Sequence, residues 1–387
     1  MTLTLTKPTV FFCLLIGLIS SGAVNAEQLS QSAARQIQQA YELQNSNKNT
    51  QAIPLLNKIN TSNAYDKAYI NRMLGWLYWQ EKQSNLAIKA LTSAVDSKAL
   101  SGEEGLSTQR MLADLLLTEG RYQQAESRYL TLIKQYQDAT NLAELWLRVA
   151  QAQYQQQKWS QVERAIEYLL KYQKKPQVTP LNMLLTAQLE QKKWRKAITT
   201  TRKIRDLAPN DIIWWQQLSN LYLYVDDKSN ALITLQQADR AGLPLSSKEQ
   251  ELMANLYADA KVPYNAAKLY DQFDSAVLDE ATLHRQAIYW QSAKEWDKAI
   301  ASWTKAAKSN NKYYWYIARL NLQLNRYKPA LAALKHIPKK TNQMMMIEVQ
   351  ALNELGNTAL ALTTAQQAHE QEPTETSLNW IKYLSSK

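Results

Sequence analysis

Three histidines, His284, His336 and His369, are the only side chains whose ordinary titration falls near neutrality, and they lie far apart in a chain of 387 residues. No His-Glu-x-x-His pair and no closely spaced His/Asp/Glu set is present to enclose a metal. There is no glycine-rich loop to cradle a phosphate and no Gly-x-Ser-x-Gly elbow to present a nucleophile. The acid pairs Glu103/Glu104 and Asp226/Asp227 are adjacent in sequence, so on a helix they diverge and in a turn they are solvated. With no nucleophile beside a base, the residues predict no enzyme, no metal and no cofactor.

Charge is more suggestive. Residues 171–205 hold ten basic side chains, Lys171, Lys174, Lys175, Lys192, Lys193, Arg195, Lys196, Arg202, Lys203 and Arg205, against one acid, Glu190. Such a run is either a solvated helix face or an electrostatic docking patch for an acidic protein or an anionic glycan. The whole chain carries a formal charge of +11. Inside a cell that would suggest nucleic acid; in an exported protein it points to anionic envelope components, an acidic partner or solubility.

The first 26 residues favour export. Lys7 is their only charge, residues 10–19 (VFFCLLIGLI) are apolar but too short to span a bilayer, and residues 24–26 (VNA) end the run with small side chains. The pattern predicts a secretory signal cut after Ala26, with an uncleaved anchor as the alternative. Cys13 follows bulky Phe11-Phe12 inside the apolar run, not a small residue at its end, so lipid attachment is not expected. Cleavage removes the only cysteine, which excludes thiolate chemistry and disulfides, and lowers the charge from +11 to +10. No later segment is apolar enough to cross a membrane, so the mature chain is expected in the periplasm, without nucleic acid as a partner.

The elements that position everything else are written as repeats. Residues 294–300 read KEWDKAI and residues 192–198 read KKWRKAI, with looser copies at 120–125, 157–162 and 325–330. Each copy aligns on a small anchor residue near the start of a second helix: Ala52, Ala87, Ala125, Val162, Ala197, Ala231, Ala266, Ala299, Ala330 and Ala361. Anchors are 31 to 38 residues apart, the period of a helix-turn-helix unit. Twelve residues earlier stands another, mostly small residue, such as Ala40, Gly75 and Ala113, with Leu185 and Val349 as departures. Apolar residues follow the anchor by four and seven, as in Leu235/Ala238 and Trp303/Ala306, which makes one stripe on the second helix. Pro176, Pro209, Pro244 and Pro373 fall where second helices must stop, and Pro329 at a helix start. Only 8 glycines and 10 prolines are present, so a helical chain with few tight turns is expected.

Residues 215–238 (WQQLSNLYLYVDDKSNALITLQQA) resemble the tetratricopeptide repeat family, with its Trp-x2-Leu-small-x2-Tyr, the small anchor, then Leu235 and Ala238. Ten copies cover residues 33–373. The resemblance implies an all-α, right-handed α-solenoid of about ten helix-turn-helix repeats over residues 27–373, after a signal peptide at 1–26 and before a C-terminal capping helix in 374–387. Tyr122, Trp159, Trp194, Trp296 and Tyr327 stand three residues before their anchors, where the family favours an aromatic; they are expected to pack between neighbouring repeats, with a ligand role as the alternative. In such solenoids the first helices line a groove, and the register puts Tyr69, Arg72, Trp76, Trp79 and, one repeat on, Arg110 on that side as candidate partner-binding residues. Burial of Trp76 or Trp79 beneath the first helices is the alternative. No repeat shows the Lys/Asn pair with which one subgroup grips a C-terminal carboxylate.

A narrower resemblance spans the chain. Residues 64–68 (AYDKA), 72–80 (RMLGWLYWQ), 109–117 (QRMLADLLL), 144–151 (ELWLRVAQ), 289–300 (YWQSAKEWDKAI) and 380–384 (WIKYL) are similar to the periplasmic tetratricopeptide protein associated with TonB–ExbB–ExbD systems in marine gamma-proteobacteria. That resemblance implies an accessory role in energised uptake of iron carriers, with TonB-system components as partners. A scaffold for peptidoglycan or exopolysaccharide machinery, contacted through the basic segment, is the alternative.

Overall fold

The computed structural model describes residues 28–273 and 279–387, so the expected leader at 1–26, with Cys13, lies outside the described residues. Among these the chain is all-α, with 21 α-helices, one short 3-10 turn at Tyr270–Gln272 and no strand. Two compact units divide it, the first ending at Lys158 and the second running Trp159–Lys387. The division falls in the turn of the fourth repeat, a place the period does not mark.

First and second helices begin differently. Most first helices start on polar side chains that satisfy free N–H groups of the first turn. Asn63 accepts from the Tyr65 N–H at 2.8 Å ahead of Ala64–Gln80, Asp138 from Asn141 at 2.9 Å ahead of Ala139–Gln155, and Asp279 from Thr282 at 2.7 Å ahead of Glu280–Ser292. Ser246 and Glu249 form a reciprocal capping box. Most second helices, such as Ser84–Asp96 and Trp194–Leu207, have no side-chain cap.

The close of the first helix sets them instead. Five residues before each anchor the backbone turns left-handed, for example at Lys82 (φ 58°), Lys192 (φ 55°) and Lys294 (φ 61°). The next N–H then reaches the carbonyl five residues back: Gln83 to Tyr78 at 2.8 Å, Lys193 to Gln188 at 2.8 Å, Glu295 to Trp290 at 2.9 Å. This Schellman closure ends one helix and launches the next. It recurs in all ten repeats, and only Gly120 and Gly356 among the ten left-handed residues are glycine. The one turn that each helix-turn-helix unit requires is thus made almost without glycine. The recovered carbonyl hydrogen bonds hold Lys, Asn, Asp and Gln in a conformation that costs each about 1–2 kcal/mol.

That common turn fixes the anchors. Every one falls on the fourth residue of its second helix and has 0% exposure. The residues twelve positions earlier are buried too, including Leu185 and Val349. Gly75 shows why small residues stand there: a Cβ would lie 2.4 Å from Leu91 Cγ on the paired helix. Residues following the anchors fill the core; Trp303, 1% exposed, packs with Trp290, Ile317 and Leu334. Prolines stand where expected, Pro176 and Pro209 beyond helices ending at Tyr172 and Leu207, and Pro329 within the first turn of Tyr327–Leu334. The last helix, Glu375–Ser385, opens on a Thr374/Ser377 capping box and lays Leu384 against Val349, Leu352 and Ala361.

Candidate functional site

Helix Ala64–Gln80 presents Tyr69, Arg72 and Trp76 at spacings of three and four, hence on one face. They line a cavity of about 100 Å³ together with Tyr41, Gln44 and Asn45 from the end of helix Gln31–Asn45, and with Met73 and Met111. Burial pushes the Tyr69 hydroxyl up to about 12, with Arg72 pulling the other way, so it stays protonated and able to donate. Arg72 is 7% exposed; its Nη1 lies 3.5 Å from Glu104 Oε1 and its Nη2 donates to Ser107 Oγ at 3.2 Å. Glu104 also accepts from the Tyr65 hydroxyl at 2.7 Å. The guanidinium charge is thus matched from within the protein.

Two expected members stand apart. Trp79 meets Trp76 edge-on at 5.7 Å between centroids but does not line the cavity. Both indoles are half-buried. Arg110 pairs with Glu144 and lies 3.9 Å from Asp114, which is 3.8 Å from Arg148 and accepts from the Tyr129 hydroxyl at 2.5 Å. Burial holds Asp114 above its usual range, and the Tyr129 hydrogen bond and the two guanidinium groups only partly offset it. Arg110 is committed to that network.

Tyr41, Gln44, Asn45 and Met111 were missed by sequence reasoning, although a signal existed. Tyr41 precedes its anchor by eleven residues, as Trp76 does, and Met111 precedes its anchor by fourteen, as Met73 does. Reading the register of Trp76 and Trp79 in the first repeat finds Tyr41 and Gln44.

The basic segment separates into partnered and free residues. Glu163, 5% exposed, accepts from Lys193 and from Lys196, each at 2.6 Å. Burial alone would raise the Glu163 carboxyl, but the two lysine hydrogen bonds and charges hold it below its usual value. Arg202 donates to the Tyr222 hydroxyl at 2.7 Å, Arg205 lies over the Trp215 ring at 4.8 Å, and Lys171 over Tyr168 at 4.8 Å. Lys174, Lys175, Lys192, Arg195 and Lys203 are exposed. Lys158 repeats the Lys193 arrangement, meeting buried Glu126 at 2.9 Å. In both cases the residue after the left-handed turn reaches back to the acid that follows the preceding anchor.

Each histidine sits in a separate packing role. His284 Nδ1 accepts from Trp303 Nε1 at 2.9 Å, and burial and then Lys312 hold its pKa below the usual value. His336 stacks on Tyr314 at 4.3 Å, and His369 Nδ1 is 2.8 Å from Ser377 Oγ. Among the described residues no group of three or more His, Cys, Asp or Glu could hold a metal, and no helix is long and apolar enough to cross a membrane. The five repeated aromatics each open a second helix and are half-buried.

Residues 110–179 match the family model of the tetratricopeptide repeat. No curated protein matches the chain. Among solved structures the chain is similar to a tetratricopeptide repeat protein from Parabacteroides merdae, at 14% identity over 64% of this chain and 96% of that one, with a TM-score of 0.39. It is also similar to the C-terminal part of a TPR repeat-containing protein from Cytophaga hutchinsonii, at 15% identity over 70% of this chain and 95% of that one, with a TM-score of 0.40.

Proposed function

We propose that this protein is a non-catalytic scaffold that binds other proteins, and that the cavity on Tyr41, Tyr69, Arg72 and Trp76 is its principal docking point. The cavity carries the reading. Its walls are aromatic rings and thioethers, its rim offers the Gln44 and Asn45 amides, and its one guanidinium is already neutralised by Glu104. Such a pocket takes an apolar side chain of an extended segment while the amides bind its backbone. Arg72 shapes the wall; it does not select an acidic ligand.

The leader-like residues 1–26 and the resemblance to TonB-associated proteins support a periplasmic location and an accessory role in energised iron-carrier uptake. The exposed Lys174, Lys175, Lys192, Arg195 and Lys203 are the basic residues open to an acidic partner in this reading. Cross-linking and affinity capture from intact cells test it. Wild-type protein is expected to retain a partner that Tyr41→Ala and Trp76→Ala lose, with helicity maintained. Equal capture by both variants removes the cavity from the proposal. Unimpaired TonB-dependent iron uptake after gene deletion removes the transport role, and an N-terminus other than Glu27 on the mature protein removes the predicted cleavage.

A further inference from the structure

The register that explains the scaffold also isolates one residue that it does not require. Seven positions before the anchor, at the end of the first helix, nine of the ten repeats carry a polar side chain, and the sixth carries Tyr224. Tyr224 is 70% exposed, which is unusual for a tyrosine serving only packing. Its ring lies 4.6 Å from that of Trp194 at an interplanar angle of 31°, so the two rings lie face to face with a tilt and Trp194 backs the exposed Tyr224 ring. A groove of about 470 Å³ opens over them, lined also by Leu189, Leu221, Glu190, Lys192, Gln217 and Asn220.

We propose that this groove binds a neutral saccharide, one pyranose ring resting its C–H face on the exposed Tyr224 ring that Trp194 backs. Aromatic faces carry partial negative charge and apolar area, which suits the weakly positive C–H face of a sugar. Gln217, Asn220 and Tyr224 recur at spacings of three and four on helix Ile212–Tyr224, so both amides share the face that carries the Tyr224 ring. Each amide supplies a donor and an acceptor, as a pair of neighbouring hydroxyls requires. The Glu190 carboxylate adds acceptors and the Lys192 ammonium donors, and their opposite charges leave the groove formally neutral. That balance favours an uncharged polar ligand over a uronic acid or an acidic peptide. A proline-rich segment, which also uses aromatic grooves, lacks N–H donors for Glu190. This site is separate from the Tyr41–Trp76 cavity, and its occupancy does not depend on the function proposed for that cavity.

The test is calorimetric titration of the full chain with cellohexaose, maltohexaose and the N-acetylglucosamine hexamer, beside polygalacturonate and a decaproline peptide. Binding of at least one neutral hexamer is expected. Tyr224→Gln, which installs the residue type of the other repeats, is expected to weaken it at least about tenfold, with the melting temperature near that of wild type. Gln217→Ala with Asn220→Ala is expected to weaken it as well, whereas Trp76→Ala leaves it unchanged. Three outcomes overturn the proposal: no neutral hexamer binds at millimolar concentration, Tyr224→Gln binds as wild type does, or only polygalacturonate or decaproline binds.

Discussion

Arg72 with Glu104, and Glu163 with Lys193 and Lys196, are charge pairs of opposite construction. In the first the cation is buried, 9% exposed at its side chain, and its acid is 37% exposed. In the second the acid is buried, at 6%, and the lysines are 37% and 57% exposed. A partly exposed ion pair contributes little by itself, whereas stranding its buried member leaves a desolvated charge without compensation. The difference shows which residue of each pair is open to substitution, and it decides whether the charge left behind can be relieved by a proton. A buried carboxylate escapes its cost by taking a proton; a guanidinium has no neutral form to fall back on.

The largest expected effect is at the first pair. Glu104→Ala takes the carboxylate away from Arg72, leaving its Ser107 hydrogen bond, and should destabilise by about 2–3 kcal/mol at pH 7 by denaturant unfolding. Next comes Lys193→Ala with Lys196→Ala, at about 2 kcal/mol at pH 7. Burial then acts on Glu163 unopposed and pushes its carboxyl up instead of down. The deficit relative to wild type should therefore shrink as the pH falls below the ordinary glutamate value of 4.5. A pH-independent deficit would mean that the lysines stabilise by packing their stems, and would erase the contrast between the regions.

Glu163→Gln should cost less, about 1 kcal/mol at pH 7, and it isolates the linkage. With its carboxyl held below 4.5 in the folded chain, Glu163 contributes stability above that pH and loses it as pH falls through the folded value. The variant's stability curve should accordingly be flatter in acid. The smallest effect is a gain. Lys82→Gly in the first region and Lys192→Gly in the second relieve left-handed backbone (φ 58° and 55°) and should each stabilise by about 0.5–1 kcal/mol in thermal unfolding. A loss at Lys192 alone would show that its side chain, not its backbone, matters to that region.

The repeated aromatics need the same separation of buried from half-buried. Trp296, half-buried at a helix start, should tolerate Ala at about 1–2 kcal/mol, whereas Trp303, 1% exposed in the core, should lose about 3–5 kcal/mol. Their places in the register already separate them: Trp303 stands four residues beyond its anchor, on the core stripe, and Trp296 three before it.

What the sequence determined by itself is the alternation of helices, their register and the buried positions. Small anchors and apolar residues four and seven beyond them state which side of each helix faces its partner, because helix pairing depends on contacts close in the chain. All ten anchors are accordingly buried. Tyr69, Arg72 and Trp76 were legible on one face for the same reason, since helical spacing alone brings them together. Tertiary structure decided what that face meets: Tyr41 and Met111 come from adjoining repeats, and Glu104 turns Arg72 from a candidate partner-binding residue into part of a neutral wall. It also decided that Arg110 serves Glu144 and that Lys193 and Lys196 serve Glu163. Such pairings join residues some thirty positions apart whose meeting depends on side-chain reach across a helix–helix interface. The ten left-handed turns escaped the sequence because glycine count was the signal sought, whereas Schellman hydrogen bonds let lysine and asparagine take the glycine's place.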